Sequence, residues 1–129
     1  MTRLLAFSVF AGLLASSAHA VSFSDCIEYS SEINKFFPQR IDKLTTVTGT
    51  TCVPGRKKPS LMYRMRMDIK KSEADLSKKQ ELIDTQLKSW CSDPRQIELF
   101  KRLDIKYAYV DSSGDFIFET HLAIESCPR

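Results

Sequence analysis

The sequence predicts an α+β domain: an antiparallel sheet of about four strands, covered on one face by helices and stapled by two disulfides. Three observations carry this. Residues 61–69, LMYRMRMDI, alternate apolar and polar side chains, the period of a strand with one covered face. Leu76, Ile83, Leu87 and Trp90 recur at spacings of seven, four and three, which is one stripe of a helix. Cys26, Cys52, Cys91 and Cys127 follow a leader of the export type, and an even cysteine count in an exported chain reads as two disulfides.

The leader is MTRLLAFSVFAGLLASSAHA. Arg3 supplies the positive end, Leu4 to Leu14 an apolar run, and Ala18-His19-Ala20 an A-x-A cleavage site. Residues 1–20 are therefore expected to be a signal peptide cleaved after Ala20, leaving 21–129 as a single domain in the periplasm or outside the cell. The apolar run is too short and wrongly flanked for a membrane span, and no later stretch approaches the ~18 apolar residues a span needs. Cys26 does not directly follow the apolar run, which argues against a lipid-modified N-terminal cysteine. Arg3 is the leader's one charged residue, so 18 basic and 16 acidic residues remain, a net charge of +2. So mild an excess does not call for a nucleic-acid partner.

Four cysteines allow three connectivities. The expected pairs are Cys26–Cys52 and Cys91–Cys127, because each then joins a helix to a strand within its own half of the chain. Zinc would want Cys-x-x-Cys or closely spaced Cys/His pairs, and neither occurs.

In chain order, residues 24–37 read as a helix with Ser24 as N-cap, Asp25 and Glu28 near its positive end, and Cys26, Tyr29, Ile33, Phe36 and Phe37 roughly on one face. Pro38 ends it. Ile41 to Cys52 is rich in Thr and Val and reads as a strand. Residues 53–59, VPGRKKP, make an exposed loop. In strand 61–69, Leu61, Tyr63, Met65, Met67 and Ile69 point one way, and Met62, Arg64, Arg66 and Asp68 the other. A helix is expected over 74–91, with Trp90 its largest core residue. A second follows over 94–103, capped by Ser92 or Asp93 and led by Pro94, whose missing N–H costs nothing there. Strands at Ile105–Val110 and Phe116–Ile124 then form a hairpin. A two-residue turn at Ser113-Gly114 would set Asp111 opposite Phe116, Tyr109 opposite Phe118, Tyr107 opposite Thr120 and Ile105 opposite Leu122.

Phe36-Phe37-Pro38 before Ile41-Asp42, Cys91 with Pro94, Tyr107-x-Tyr109, Asp111, Gly114 and the closing Cys127 together resemble a group of small exported bacterial proteins and domains of unknown function. The resemblance covers about two thirds of the chain after the leader. It implies that the Cys26–Cys52 pair is an addition of this chain, and it implies no activity.

Little in the sequence points to catalysis. His121 is the one histidine after the leader, with Glu119 its neighbour on the same strand face, and no serine sits in a G-x-S-x-G elbow. With the cysteines paired, no thiol nucleophile remains. No phosphate-binding loop, H-E-x-x-H or EF-hand occurs. Asp111, Gly114 and Asp115 look faintly like a cation loop but supply too few oxygens for calcium. No metal or cofactor is expected. Two function classes remain: an exported envelope interaction protein (inhibitor, immunity-type or accessory factor), and a small hydrolase on the same scaffold. The lack of a catalytic constellation favours the first, with a protein partner meeting a polar face that holds Arg64, Arg66, Lys106 and His121. A weaker reading has Arg64, Arg66, Lys106 and the Arg56–Lys58 loop touching an anionic surface.

Overall fold

The computed structural model describes residues 20–128, so the leader read in residues 1–20 lies, apart from Ala20, outside the described residues. The first helix, α1 (Phe23–Ile33), starts two residues earlier than its expected cap implies. Ser22, not Ser24, is the N-cap, its Oγ accepting from Asp25 N at 3.0 Å. The helix also ends sooner, passing at Asn34 into a 3₁₀ turn over Asn34–Phe36 before the cis Phe37–Pro38 bond. Phe36, expected on the apolar face, is 47% exposed there.

Five strands form one sheet in the order β1 (Gln39–Arg40), β2 (Thr45–Val53), β3 (Ser60–Met67), β4 (Asp104–Val110), β5 (Phe116–Leu122). The strand expected from Ile41 to Cys52 thus begins only at Thr45 and runs on to Val53, with the short β1 lying before the expected range. Asp42 Oδ1 accepts from the backbone N–H groups of Leu44 and Thr45, at 2.9 and 2.8 Å, and this side-chain turn breaks the extended chain. Three pairings are antiparallel, as read, but β3 and β4 run parallel. The reason is the pair of helices between them, α2 (Lys79–Ser92) and α3 (Pro94–Phe100). They carry the chain back along the sheet, so that β4 starts at the same end as β3.

All three helices lie on one face. On β3, Leu61, Tyr63 and Met65 are buried beneath them, while Arg64 and Arg66 on the alternate positions are exposed. The helix expected from residue 74 begins at Lys79, because Asp75 caps a separate 3₁₀ turn over Leu76–Lys78. Leu76 therefore drops out of the apolar stripe and is 54% exposed. Trp90 keeps its place at 1% exposure. Its ring packs edge-on to Tyr63 at 6.4 Å and against Phe100 at 5.8 Å, and its Nε1 donates to Tyr107 Oη at 2.7 Å. Asp93 caps α3, with Pro94 behind it, and that helix stops at Phe100 rather than 103.

Two disulfides close the structure. Cys26 on α1 joins Cys52 on β2, and Cys91 on α2 joins Cys127, after the last strand. Beside the first, Ser30 and Asn34 continue the Cys26 stripe at four-residue spacing. Ser30 Oγ and Thr50 Oγ1 share a hydrogen bond of 2.6 Å. Asn34 Nδ2 donates to Thr50 O at 3.1 Å, and its Oδ1 accepts from Thr50 N at 2.7 Å. β1 covers only Thr46 and Val47 of β2, so Asn34 satisfies the backbone of the same edge further along.

The hairpin pairs Ile105 with Leu122, Tyr107 with Thr120 and Tyr109 with Phe118, but Val110 rather than Asp111 faces Phe116. The correction lies at the turn, which is a three-residue loop. Gly114 N donates to Asp111 O, Asp111 N donates to Asp115 O, and Gly114 takes φ 91°, which favours glycine. The Asp111 carboxylate accepts from the backbone N–H groups of Lys71, Ser113 and Asp115 at 2.8–2.9 Å, tying the loop after β3 to the hairpin. These bonds hold its pKa below the usual value, the Asp115 N–H foremost. A depressed native pKa stabilises the fold above the unfolded carboxyl pKa and is lost as pH falls through the native one. Asp111→Ala should therefore lower the melting temperature at neutral pH and flatten its fall below about pH 4. Melting curves from pH 2 to 7 check this, and an unchanged acid limb would count against it.

Candidate interaction surface

The solvent face of the sheet is set by register. Met62, Lys106 and His121 form one row across β3, β4 and β5; Arg64, Ala108 and Glu119 form the next; Arg66, Val110 and Phe116 the third. The four residues singled out in the sequence thus share one face. That face is less basic than the four alone suggest. Lys106 Nζ is 3.9 Å from Glu119, and His121 Nε2 is 3.8 Å from Asp104, which also has Lys58 Nζ at 3.7 Å. Arg66 Nε lies 3.6 Å from Asp68, which Arg40 approaches at 3.1 Å from the other side. The exposed pairs among them, those of Asp68 with Arg66 and Arg40, contribute at most about 1 kcal/mol each, so they set the potential of the face more than its stability.

Arg64 is different. Among the described residues no carboxylate lies within 4 Å of its guanidinium, which donates to Thr51 Oγ1 at 2.9 Å. It lies across Gly49, where a Cβ would collide with Nη2. Glycine at that position lets the cation lie flat over β2 and face outward.

The other face carries no such chemistry. Burial raises the pKa of Tyr107, to about 12, and those of Tyr29, Tyr63 and Tyr109 as well, so these hydroxyls stay neutral. Tyr107 and Tyr109 serve the core network, Tyr107 through Trp90 and Tyr109 through Gln86. Gln86 Nε2 donates to Tyr109 Oη at 2.8 Å, and Thr120 Oγ1 donates to Gln86 Oε1 at 2.8 Å. The sequence reading missed Gln86, which lies on the same helix stripe as Ile83 and Trp90 and gives no apolar signal. Asp111, the faint cation-loop candidate, points its oxygens at N–H groups. No cluster of three or more potential metal ligands occurs among the described residues.

Beyond this face, Phe23 and Ile27 are exposed on α1, one turn apart, and Leu44, Leu76 and Phe116 are exposed elsewhere. No helix among the described residues is long and apolar enough to cross a membrane.

No protein-family model and no curated protein matches the chain. Solved structures do. A Pseudomonas aeruginosa protein inferred to be secreted matches 84% of this chain and 100% of its own, with a TM-score of 0.65 and 16% identity. The pilotin EpsS from the type 2 secretion system of Vibrio vulnificus matches 81% of this chain and 89% of its own, with a TM-score of 0.60 and 17% identity. The type II secretion system pilotin AspS from Vibrio cholerae matches 79% and 88%, with a TM-score of 0.56 and 12% identity. At these identities the likeness is one of fold.

Proposed function

We propose that this chain is an exported accessory protein that acts by binding another protein, in the manner of a pilotin of a type II secretion system. The observation that carries this reading is the shared fold: both pilotins match nearly four fifths or more of this chain. An N-terminal leader and two disulfides support an extracytoplasmic location, periplasmic or secreted, after cleavage behind Ala20.

The docking surface is the solvent face of the sheet. Arg64 and Arg66 project from the rigid strand β3, with Lys106 and His121 beside them on the next two strands. An acidic partner group can take Arg64 as its ion-pair partner without first breaking an internal pair. Charge complementarity of this kind acts mainly on the association rate.

The experiment mixes the purified protein with isolated envelope components of a type II secretion apparatus. A saturable complex is expected, and Arg64→Glu with Arg66→Glu should slow its association about tenfold at low salt and weaken its salt dependence. A complex indifferent to both changes would move the docking surface off this face. Turnover in a panel of hydrolase substrates, without any complex, would instead support the small-hydrolase alternative.

A further inference from the structure

The two edges of the sheet are finished differently. At the β1 edge, the short strand and the Asn34 carboxamide cover the backbone of β2. At the other edge β5 has no further strand beside it, and although Ile117, Thr120 and Leu122 are buried, Glu119 and His121 reach solvent. Among the described residues, no backbone hydrogen bond from residues 116–122 goes anywhere but to β4. Proteins commonly blunt such edges with proline, lysine or a covering element, and β5 has no proline or lysine.

Which groups point outward follows from the neighbouring strand. Asp104 N donates to Pro59 O and Ser112 N to Ile69 O, both toward β3, whereas Asp111 N donates to Asp115 O, toward the hairpin partner. The odd-numbered residues of β4 therefore bond to β5, through Phe118, Thr120 and Leu122 opposite Tyr109, Tyr107 and Ile105. Glu119 and His121 are left with both N–H and C=O directed away from the sheet. Each also presents its side chain on the solvent face, 39% and 55% exposed respectively.

We infer that β5 pairs with β5 of a second copy of this chain, antiparallel, with Glu119 opposite His121 and Thr120 opposite Thr120. Three features select this register. A two-fold axis normal to the sheet keeps side chains on their own face, so only registers related by two-residue steps are open. Centring the axis on Glu119 would set two carboxylates against each other, which is unfavourable. Centring it on His121 would set Glu119 against Ala123, outside the strand. Centring it on Thr120 uses every outward group of Glu119 and His121, about four backbone hydrogen bonds in all. It also places a carboxylate beside an imidazole twice. The bulge near Phe116 lies outside the paired stretch, so the five residues from Phe118 to Leu122 are regular. Lys106 and Asp104 face these side chains from β4, Lys106 Nζ 3.9 Å from Glu119 and Asp104 3.8 Å from His121 Nε2. The pairing is independent of the pilotin reading.

The test uses the full-length gene expressed with its own leader and the product purified from the periplasm. Sedimentation over a wide concentration range is expected to show a monomer–dimer equilibrium, with amide exchange at Glu119 and His121 slowing as concentration rises. His121→Pro removes an outward donor without touching the β4 ladder, and the dimer should be lost while the melting curve stays cooperative. His121→Glu sets carboxylate against carboxylate and should also lose the dimer. The swap Glu119→His with His121→Glu restores complementarity by symmetry and should recover it. A monomer at all concentrations, a dimer indifferent to His121→Pro and His121→Glu, or a swap that recovers nothing would each overturn the proposal. So would protection of these amides by a strand from another protein while the chain itself stays monomeric.

Discussion

Replacing Trp90 with alanine is expected to cost about 3–5 kcal/mol and to lower the melting temperature by about 12–20 °C. Trp90 is 1% exposed and sits where α2 meets β3 and β4. Truncation removes the ring that packs on Tyr63 and Phe100 and leaves Tyr107 Oη without the Nε1 donor. The two losses differ in kind and can be separated. Trp90→Phe keeps much of the apolar volume but not the donor, so it should cost about 1–3 kcal/mol, the penalty for a buried polar group left unsatisfied. Denaturant unfolding of both variants checks the order. Near-equal, small effects would mean that the cavity closes freely around Tyr63 and Phe100.

Removing either disulfide should be comparably severe. The Cys26–Cys52 and Cys91–Cys127 bonds span 26 and 36 residues, for which loop-closure entropy gives about 3.5–4 kcal/mol each. A domain of this size typically holds about 5–15 kcal/mol in total, so the double removal should leave little or no folded protein. The two single removals should differ in what opens. Without Cys91–Cys127, the chain end beyond β5 loses its tie to α2. Without Cys26–Cys52, α1 keeps its Ser30 and Asn34 bonds to Thr50 and should stay docked longer. Alanine variants compared by thermal melting and amide exchange test both statements. A fully folded double variant would contradict them.

Several features could be read directly from the residues. The period-two pattern at Leu61–Met67 gave β3 and its buried face, because one side chain in two meets the helices. The hairpin register from Ile105 to Tyr109 followed from matching large apolar residues across the turn. What could not be read depends on distant partners. Nothing local says that β4 lies parallel to β3; that follows from where α2 and α3 deliver the chain. The end of α1 goes with Asn34 turning to the β2 edge, and the late start of β2 at Thr45 with the Asp42 side-chain turn that precedes it. Leu76 matched the helical stripe by spacing, but Asp75 caps a turn before the helix begins. On the candidate surface, strand parity placed Arg64, Arg66, Lys106 and His121 together. The carboxylates that neutralise most of them come from β4, β5 and the loop after β3, and their approach is a tertiary fact. Arg64 stands out only once Gly49 is seen beneath it.

Whether the chain acts by binding is tested most directly by calorimetric titration of the purified protein into isolated envelope components of a type II secretion apparatus. A saturable complex at a fixed stoichiometry, weakened by added salt, is the predicted result. No complex at any concentration, together with turnover of a small-molecule substrate by the same preparation, would contradict it.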